Sequence, residues 1–214
     1  MEQTAQWYDR FFITHQGYHG SAESMMYHDL WIKVRNMLPQ GSSLLDIGCG
    51  TGQFAQVLHD RPDLTYTGID FSRVAIDIAN SWHHNCTCTF QCVNAHEYPL
   101  TDHPLPMWIT MIEFLEHIRD DLALVRKIPL RVRVIFTLPS YESPVHCRVF
   151  KTSTEVRDRY NALFTDLTVS EHIYSDSHKI WICGGTRNDK LGLGMRPKQA
   201  TGTLRTGSTT ISGN

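Results

Sequence analysis

The sequence predicts an α/β fold, a Rossmann-like doubly wound and mostly parallel seven-stranded sheet with helices on both faces and an antiparallel terminal hairpin. Three observations predict it. Between about residue 41 and residue 185, apolar runs of strand length alternate with segments of helical periodicity. Leu44-Leu45-Asp46-Ile47 passes directly into Gly48-Cys49-Gly50-Thr51-Gly52, so a buried strand turns through glycines into the start of a helix. Two late alternating runs, around residues 169–174 and 179–183, are joined by Ser175-Asp176-Ser177-His178 and read as a closing hairpin.

The elements follow in order. Residues 1–40 are aromatic-rich, with Trp7, Tyr8, Phe11 and Phe12 near the start, and end in a helix whose Leu30, Trp31, Val34 and Leu38 recur at helical spacing. Beyond the glycine loop, Phe54, Val57 and Leu58 give a crossover helix its apolar face, and Pro62 marks its exit. Tyr66-Thr67-Gly68-Ile69-Asp70 is the second strand; Ser72 caps a helix striped by Val74, Ala75, Ile78 and Ala79. A third strand ends at Val93-Asn94-Ala95-His96, and the fourth is Trp108 to Ile112. Asp120 opens a helix carrying Leu122, Val125 and Ile128, and residues 132–138 form the fifth strand. Thr152 with Glu155 makes a capping box for a helix bearing Val156, Tyr160 and Leu163. Residues 186–214 turn rich in glycine, threonine and serine, with Lys190, Arg196, Lys198 and Arg205, and read as a flexible basic tail.

Composition narrows the function classes. A chain of 214 residues that is 41% hydrophobic holds one sizeable core and is short for two. Lys+Arg is 20 against Asp+Glu 22, so no overall basic field points to nucleic acid. No run approaches the roughly 20 apolar residues that span a bilayer, and the polar N-terminus is no secretory signal, so a cytoplasmic protein is expected. The cluster Cys86, Cys88 and Cys92 looks like a zinc site. Yet Cys88 and Cys92 alternate at strand spacing and no C-x-x-C pair exists, so free cysteines are expected.

The glycine loop carries the chemistry. Glycines 48, 50 and 52 follow a G-x-G-x-G rhythm, whereas a dinucleotide loop reads G-x-G-x-x-G. Asp46 beside the loop repels phosphate and can hold an ammonium, while Asp70 at the second strand's exit suits the two hydroxyls of an adenosine ribose. Leu45-Asp46-Ile47-Gly48-Cys49-Gly50-Thr51-Gly52 and Gly68-Ile69-Asp70-Phe71-Ser72 are similar to the first two motifs of the class I S-adenosylmethionine-dependent methyltransferases. The resemblance implies that the loop backbone of Gly48 to Gly52 touches the methionine part of the cofactor. It also implies that Asp70 binds the ribose, Phe71 lies on the adenine, and Asn94 and Ala95 recognise that ring. In that family the N-terminal region commonly caps the pocket, which makes residues 1–40 a cap and Tyr8 and Tyr18 lid candidates; packing on the sheet edge is the alternative. Met111, at the exit of the fourth strand, joins the expected cofactor residues.

Directly after that strand stands Glu113-Phe114-Leu115-Glu116-His117. A helical turn here would gather Glu113, Glu116 and His117 on one side, a set suited to magnesium or manganese. His146 arrives at the same sheet edge from beyond the fifth strand. The E-x-x-E-H pattern resembles ubiquinone-biosynthesis O-methyltransferases and small-RNA 2′-O-methyltransferases, and also methyltransferases without metal. Pro106-Met107 and Ile128-Pro129-Leu130-Arg131 depart from the family's usual turns, so the resemblance names a cofactor and no substrate. The expectation is methyl transfer from S-adenosylmethionine to an oxygen of a small molecule, with His117 or His146 as base. RNA methylation and a non-catalytic cofactor-binding module are the alternatives.

Overall fold

The computed structural model describes residues 2–83, 88–100, 107–175 and 178–189. Cys86, Pro106 and the expected tail from residue 190 lie outside the described residues. Seven strands form one sheet in the order β3-β2-β1-β4-β5-β7-β6. The strands are β1 Ser43–Ile47, β2 Thr65–Asp70, β3 Thr89–Cys92, β4 Met107–Met111, β5 Arg133–Pro139, β6 Phe164–Ser175 and β7 His178–Arg187. The first five pair in parallel, and β7 runs antiparallel to both β5 and β6. The expected sheet and its terminal hairpin are both present. The strand order reverses between β1 and β4, and α/β sheets bind ligands beyond the carboxyl ends of strands at such a point.

Both faces of the sheet are covered, and the strands alternate between two cores. Leu45, Ile47, Val134 and Phe136 pack into one cluster with Val125 and Tyr160; Leu44, Ile135 and Ile182 pack into the other with Trp31, Val34 and Phe54. Helices α2 (His28–Met37), α3 (Gln53–Val57), α4 (Arg73–Trp82), α5 (Asp121–Lys127) and α6 (Ser153–Tyr160) supply these partners between the strands. Ser72 caps α4 by accepting from Ala75 N at 3.1 Å. The capping box of α6 is offset: Thr152 Oγ1 accepts from Glu155 N, and Glu155 Oε2 reaches Lys151 N instead of Thr152 N.

Several elements differ from the expected bounds, among them β6, which starts at Phe164 and not near residue 169. β3 stops at Cys92 and does not run to His96, because Asn94 folds an Asx turn: its Oδ1 accepts from His96 N at 2.9 Å and its carbonyl accepts from Glu97 N. The crossover helix α3 is a short one, ending at Val57. β7 runs through Gly184 and Gly185 to Arg187, although that composition reads as the start of a tail. A Cβ on Gly185 would sit 3.1 Å from Phe164 Cβ, so the glycine permits the close approach of β6. Buried Arg187 then anchors the strand end, donating to the carbonyls of Val125 and Leu163.

The N-terminal segment is tied across the carboxyl edge of the sheet. Helix α1 (Ala5–Thr14) places Asp9 at the N-terminus of α4, where its Oδ1 accepts from Ser72 Oγ at 2.6 Å and Val74 N at 3.2 Å. Further on, the Tyr18 carbonyl accepts from Thr51 Oγ1 at 2.7 Å and Gln53 Nε2 at 2.6 Å. This strap crosses the glycine loop itself.

Candidate active site

A cavity of about 520 Å³ opens at the switch point between β1 and β4, under α1. One half is built by the glycine loop. Gly48 and Gly50 take φ of +78° and +54°, conformations that side chains rarely adopt. At Gly48 a Cβ would fall 2.3 Å from the Phe114 ring, whereas at Gly50 its nearest neighbour would be Phe12 Cζ at 3.9 Å, so the backbone there faces open space. Asp70 holds the loop: its Oδ2 accepts from Gly50 N at 3.1 Å and its Oδ1 from Ser72 N at 2.8 Å. Asp46 accepts from Tyr66 Oη and Thr110 Oγ1, each at 2.7 Å. Burial raises both carboxyls to about 6, against the lowering by these hydrogen bonds.

Asp46, Gly48, Cys49, Gly50, Asp70 and Phe71 all line this cavity, as do Tyr8 and Tyr18. Gly52 does not line it. At φ +84° it is the N-cap of α3, and a Cβ there would lie 3.1 Å from Ala79 Cβ, so it permits the packing of α3 on α4. Asn94, Ala95 and Met111 are also absent from the lining. Asn94 is spent on its own turn, Ala95 packs on the core, and Met111 is fully buried within it. Thr51 of the expected loop also lines the cavity, and Gln53 and Tyr141 join the lining without a signal in the sequence. Their partners lie far along the chain, so no local motif signals them.

The other half gathers the acid and base groups. Glu113 holds φ of +50°, a conformation uncommon outside glycine. Its amide donates to Thr137 Oγ1 at 2.7 Å, and its carboxylate accepts from Thr137 Oγ1 at 3.0 Å and Tyr141 Oη at 3.3 Å. Glu116 and His117 then sit on a short 3-10 turn, Leu115–His117. Cys147 N donates to the Glu116 carbonyl at 2.7 Å, and the Arg148 guanidinium donates to the carbonyls of Leu115, Ile118 and Arg119. Arg148 in turn meets buried Asp121 at 3.3 Å, which Arg159 and Tyr160 also bind.

The two rings have fixed tautomers. His117 Nδ1 faces the Val145 carbonyl and His146 Nδ1 the Tyr141 carbonyl, each at 3.2 Å, and a carbonyl only accepts. Both Nδ1 atoms therefore carry hydrogen, and both Nε2 atoms keep a lone pair. Burial lowers both rings, His117 to about 4, so each is neutral near pH 7. Burial also raises Glu113 to about 7, and raises Glu116 well above the usual range with help from the Glu113 charge. Among the described residues, neither carboxylate oxygen of fully buried Glu116 has a hydrogen-bond partner. One ligand atom each from Glu116, His117 and His146 lie within 4.8 Å of one another. Glu113, expected in that set, is held instead by Thr137 and Tyr141. Cys88 and Cys92 are half-buried, are in no disulfide, and lie outside any such group among the described residues.

Comparison with known proteins fits this geometry. A family profile described as a methyltransferase domain matches residues 44–131. Demethylmenaquinone methyltransferase of Chlamydia pneumoniae is 31% identical over 86 residues, covering 39% of this chain and 37% of that protein. The match thus spans little more than a third of that relative. Phosphoethanolamine N-methyltransferase 2 of Haemonchus contortus, in complex with phosphomonomethylethanolamine and S-adenosylhomocysteine, superposes with a TM-score of 0.65 at 14% identity, over 87% of this chain and 60% of that one. An S-adenosylmethionine-dependent methyltransferase from Mesorhizobium loti gives a TM-score of 0.57 at 14% identity, over 78% of this chain and all of that one. At such identities the two structures speak for the fold. Taken with the sequence match over β1 to α5, they show that residues 44–131 are similar to a methyltransferase domain and that the chain shares the fold of S-adenosylmethionine-dependent methyltransferases.

Proposed function

We propose that the protein transfers a methyl group from S-adenosylmethionine to an oxygen atom of a small molecule. The observation that carries the reading is that Gly48, Gly50 and Asp70 line the same cavity as His117 and His146. A glycine backbone with no Cβ toward open space, beside a carboxylate at a strand exit, fits the methionine and ribose parts of the cofactor. Bound S-adenosylmethionine supplies an electrophilic methyl group on a sulfonium. The chain aligns the acceptor, and alignment alone can supply several kcal/mol of the barrier. An oxygen acceptor must also lose its proton. The Nε2 lone pair of His117 or His146, kept free by the Nδ1 hydrogen bonds, is placed in this reading to take it.

One observation favours a second way of activating the acceptor. Ligand atoms of Glu116, His117 and His146 converge within 4.8 Å of one another, and among the described residues neither Glu116 oxygen has a hydrogen-bond partner. That donor set fits a divalent ion, manganese better than magnesium because two of the three are imidazoles. These residues would hold such an ion, which lowers the pKa of a hydroxyl bound to it. The test is a labelled-methyl transfer assay over a panel of phenols and alcohols, with and without manganese, on wild type, His117→Ala and His146→Ala. Loss of turnover in either variant supports oxygen methylation through these rings. Wild-type turnover in both removes it, and no transfer to any acceptor favours a non-catalytic module.

A further inference from the structure

We infer that the acceptor is an uncharged aromatic hydroxyl compound, and that the cavity rejects molecules carrying phosphate or carboxylate. The inference rests on the reading that the far half of the cavity takes the acceptor. Among the described residues lining the cavity there is no lysine or arginine, while Asp46, Asp70 and Glu113 are present. A buried phosphate or carboxylate needs a guanidinium, an ammonium or several N–H donors; without them it is left unpaired in a poorly hydrated site. Here it would face Glu113, whose oxygens only accept from Thr137 and Tyr141 and give an anion no donor.

The nearby cation is already committed. Arg148 spends its guanidinium on three main-chain carbonyls and on Asp121, away from the lining. The two histidines present lone pairs and not protons, because each Nδ1–H points at a carbonyl. Of the glycine-loop amides, Gly48 and Cys49 already donate to the Ile69 carbonyl and Gly50 to Asp70.

The walls define the rest of the acceptor. Tyr27, Trp31, Phe114 and Tyr141 line this half, with the Tyr27 and Tyr141 hydroxyls 3.4 Å apart. Aromatic faces stack on flat rings, and carboxylate and imidazole acceptors bind a hydroxyl through its hydrogen. A phosphodiester-linked RNA end falls on the rejected side, as does any phosphorylated metabolite.

The test uses wild-type protein stripped of divalent metal by a chelator and saturated with S-adenosylhomocysteine, with three matched probes: 2-naphthol, 2-naphthyl phosphate and 2-naphthoate. Saturation itself reads the cofactor site, so a failure there is seen before any probe is added. Calorimetry is expected to show 2-naphthol binding, with both anions at least a hundredfold weaker. Ser143→Lys adds an ammonium to the lining and is expected to bring 2-naphthyl phosphate within tenfold of 2-naphthol. Binding of the phosphate as tightly as the alcohol by wild type, or no binding of 2-naphthol at millimolar concentration, would overturn the inference.

Discussion

Asp70 both holds the glycine loop and lines the cavity, and its protonation links the two roles. Burial raises its pKa, and that of Asp46, from 3.8 to about 6. For cofactor binding the sign is simple: the carboxylate prevails above about pH 6 and is lost below it. Affinity for S-adenosylhomocysteine is expected to fall by up to about tenfold per pH unit below 6, as titration at pH 5, 6 and 7.5 would show. For the fold the sign is opposite. A raised folded-state pKa contributes stability that is complete below about 3.8 and is lost as pH rises through about 6. Asp70 and the loop glycines were legible in the sequence because a strand, a turn and a helix start lie side by side along the chain. The place of Glu116 was less so. The sequence pointed to Glu113 as its companion, whereas folding pairs Glu113 with Thr137 and Tyr141 and brings His146 across instead. Only the path of the chain after β5 determines that exchange.

Short elements here depend on remote partners. The 3-10 turn bearing Glu116 and His117 has successive carbonyls bound by Cys147 and Arg148, which belong to the loop after β5. Arg148→Ala is expected to cost about 2–4 kcal/mol, since it also leaves buried Asp121 with one fewer cation. S-adenosylhomocysteine binding should change little, because the glycine loop is separately held; urea unfolding and calorimetry would separate the two effects. Arg131 sits at φ +72° before β5, where a side chain is strained. Arg131→Gly is therefore expected to stabilise the fold by about 0.5–1 kcal/mol, seen as a raised melting temperature. Helix faces were largely legible from periodicity, as with Leu30, Trp31 and Val34 of α2, all buried. Element ends were not. Asn94 ends β3 through a side-chain hydrogen bond, and Gly184 and Gly185 stay in β7 because β6 packs against them.

At the scale of the whole molecule, the sheet supplies a rigid floor and the N-terminal strap supplies the roof. The floor is deeply packed: Phe136 is fully buried between Tyr160 and Phe164, with ring centroids 5.1 and 5.5 Å away. Phe136→Ala is expected to cost about 3–5 kcal/mol by chemical denaturation. The roof is held by polar ties, Asp9 to α4 and the Tyr18 carbonyl to Thr51 and Gln53, and by aromatic packing of Tyr8 on Phe71 and His117. The alternation of strands and helices announced this architecture. The strap's attachments join residues more than thirty positions apart and leave no local pattern to read.

The account stands on the glycine loop and Asp70 forming a cofactor site. Calorimetric titration of S-adenosylhomocysteine into wild type and Asp70→Ala tests that claim most directly. Micromolar binding by wild type, weakened at least tenfold by the substitution, is the result the account predicts. No binding by a folded wild-type protein, or equal binding by a folded Asp70→Ala, would contradict it.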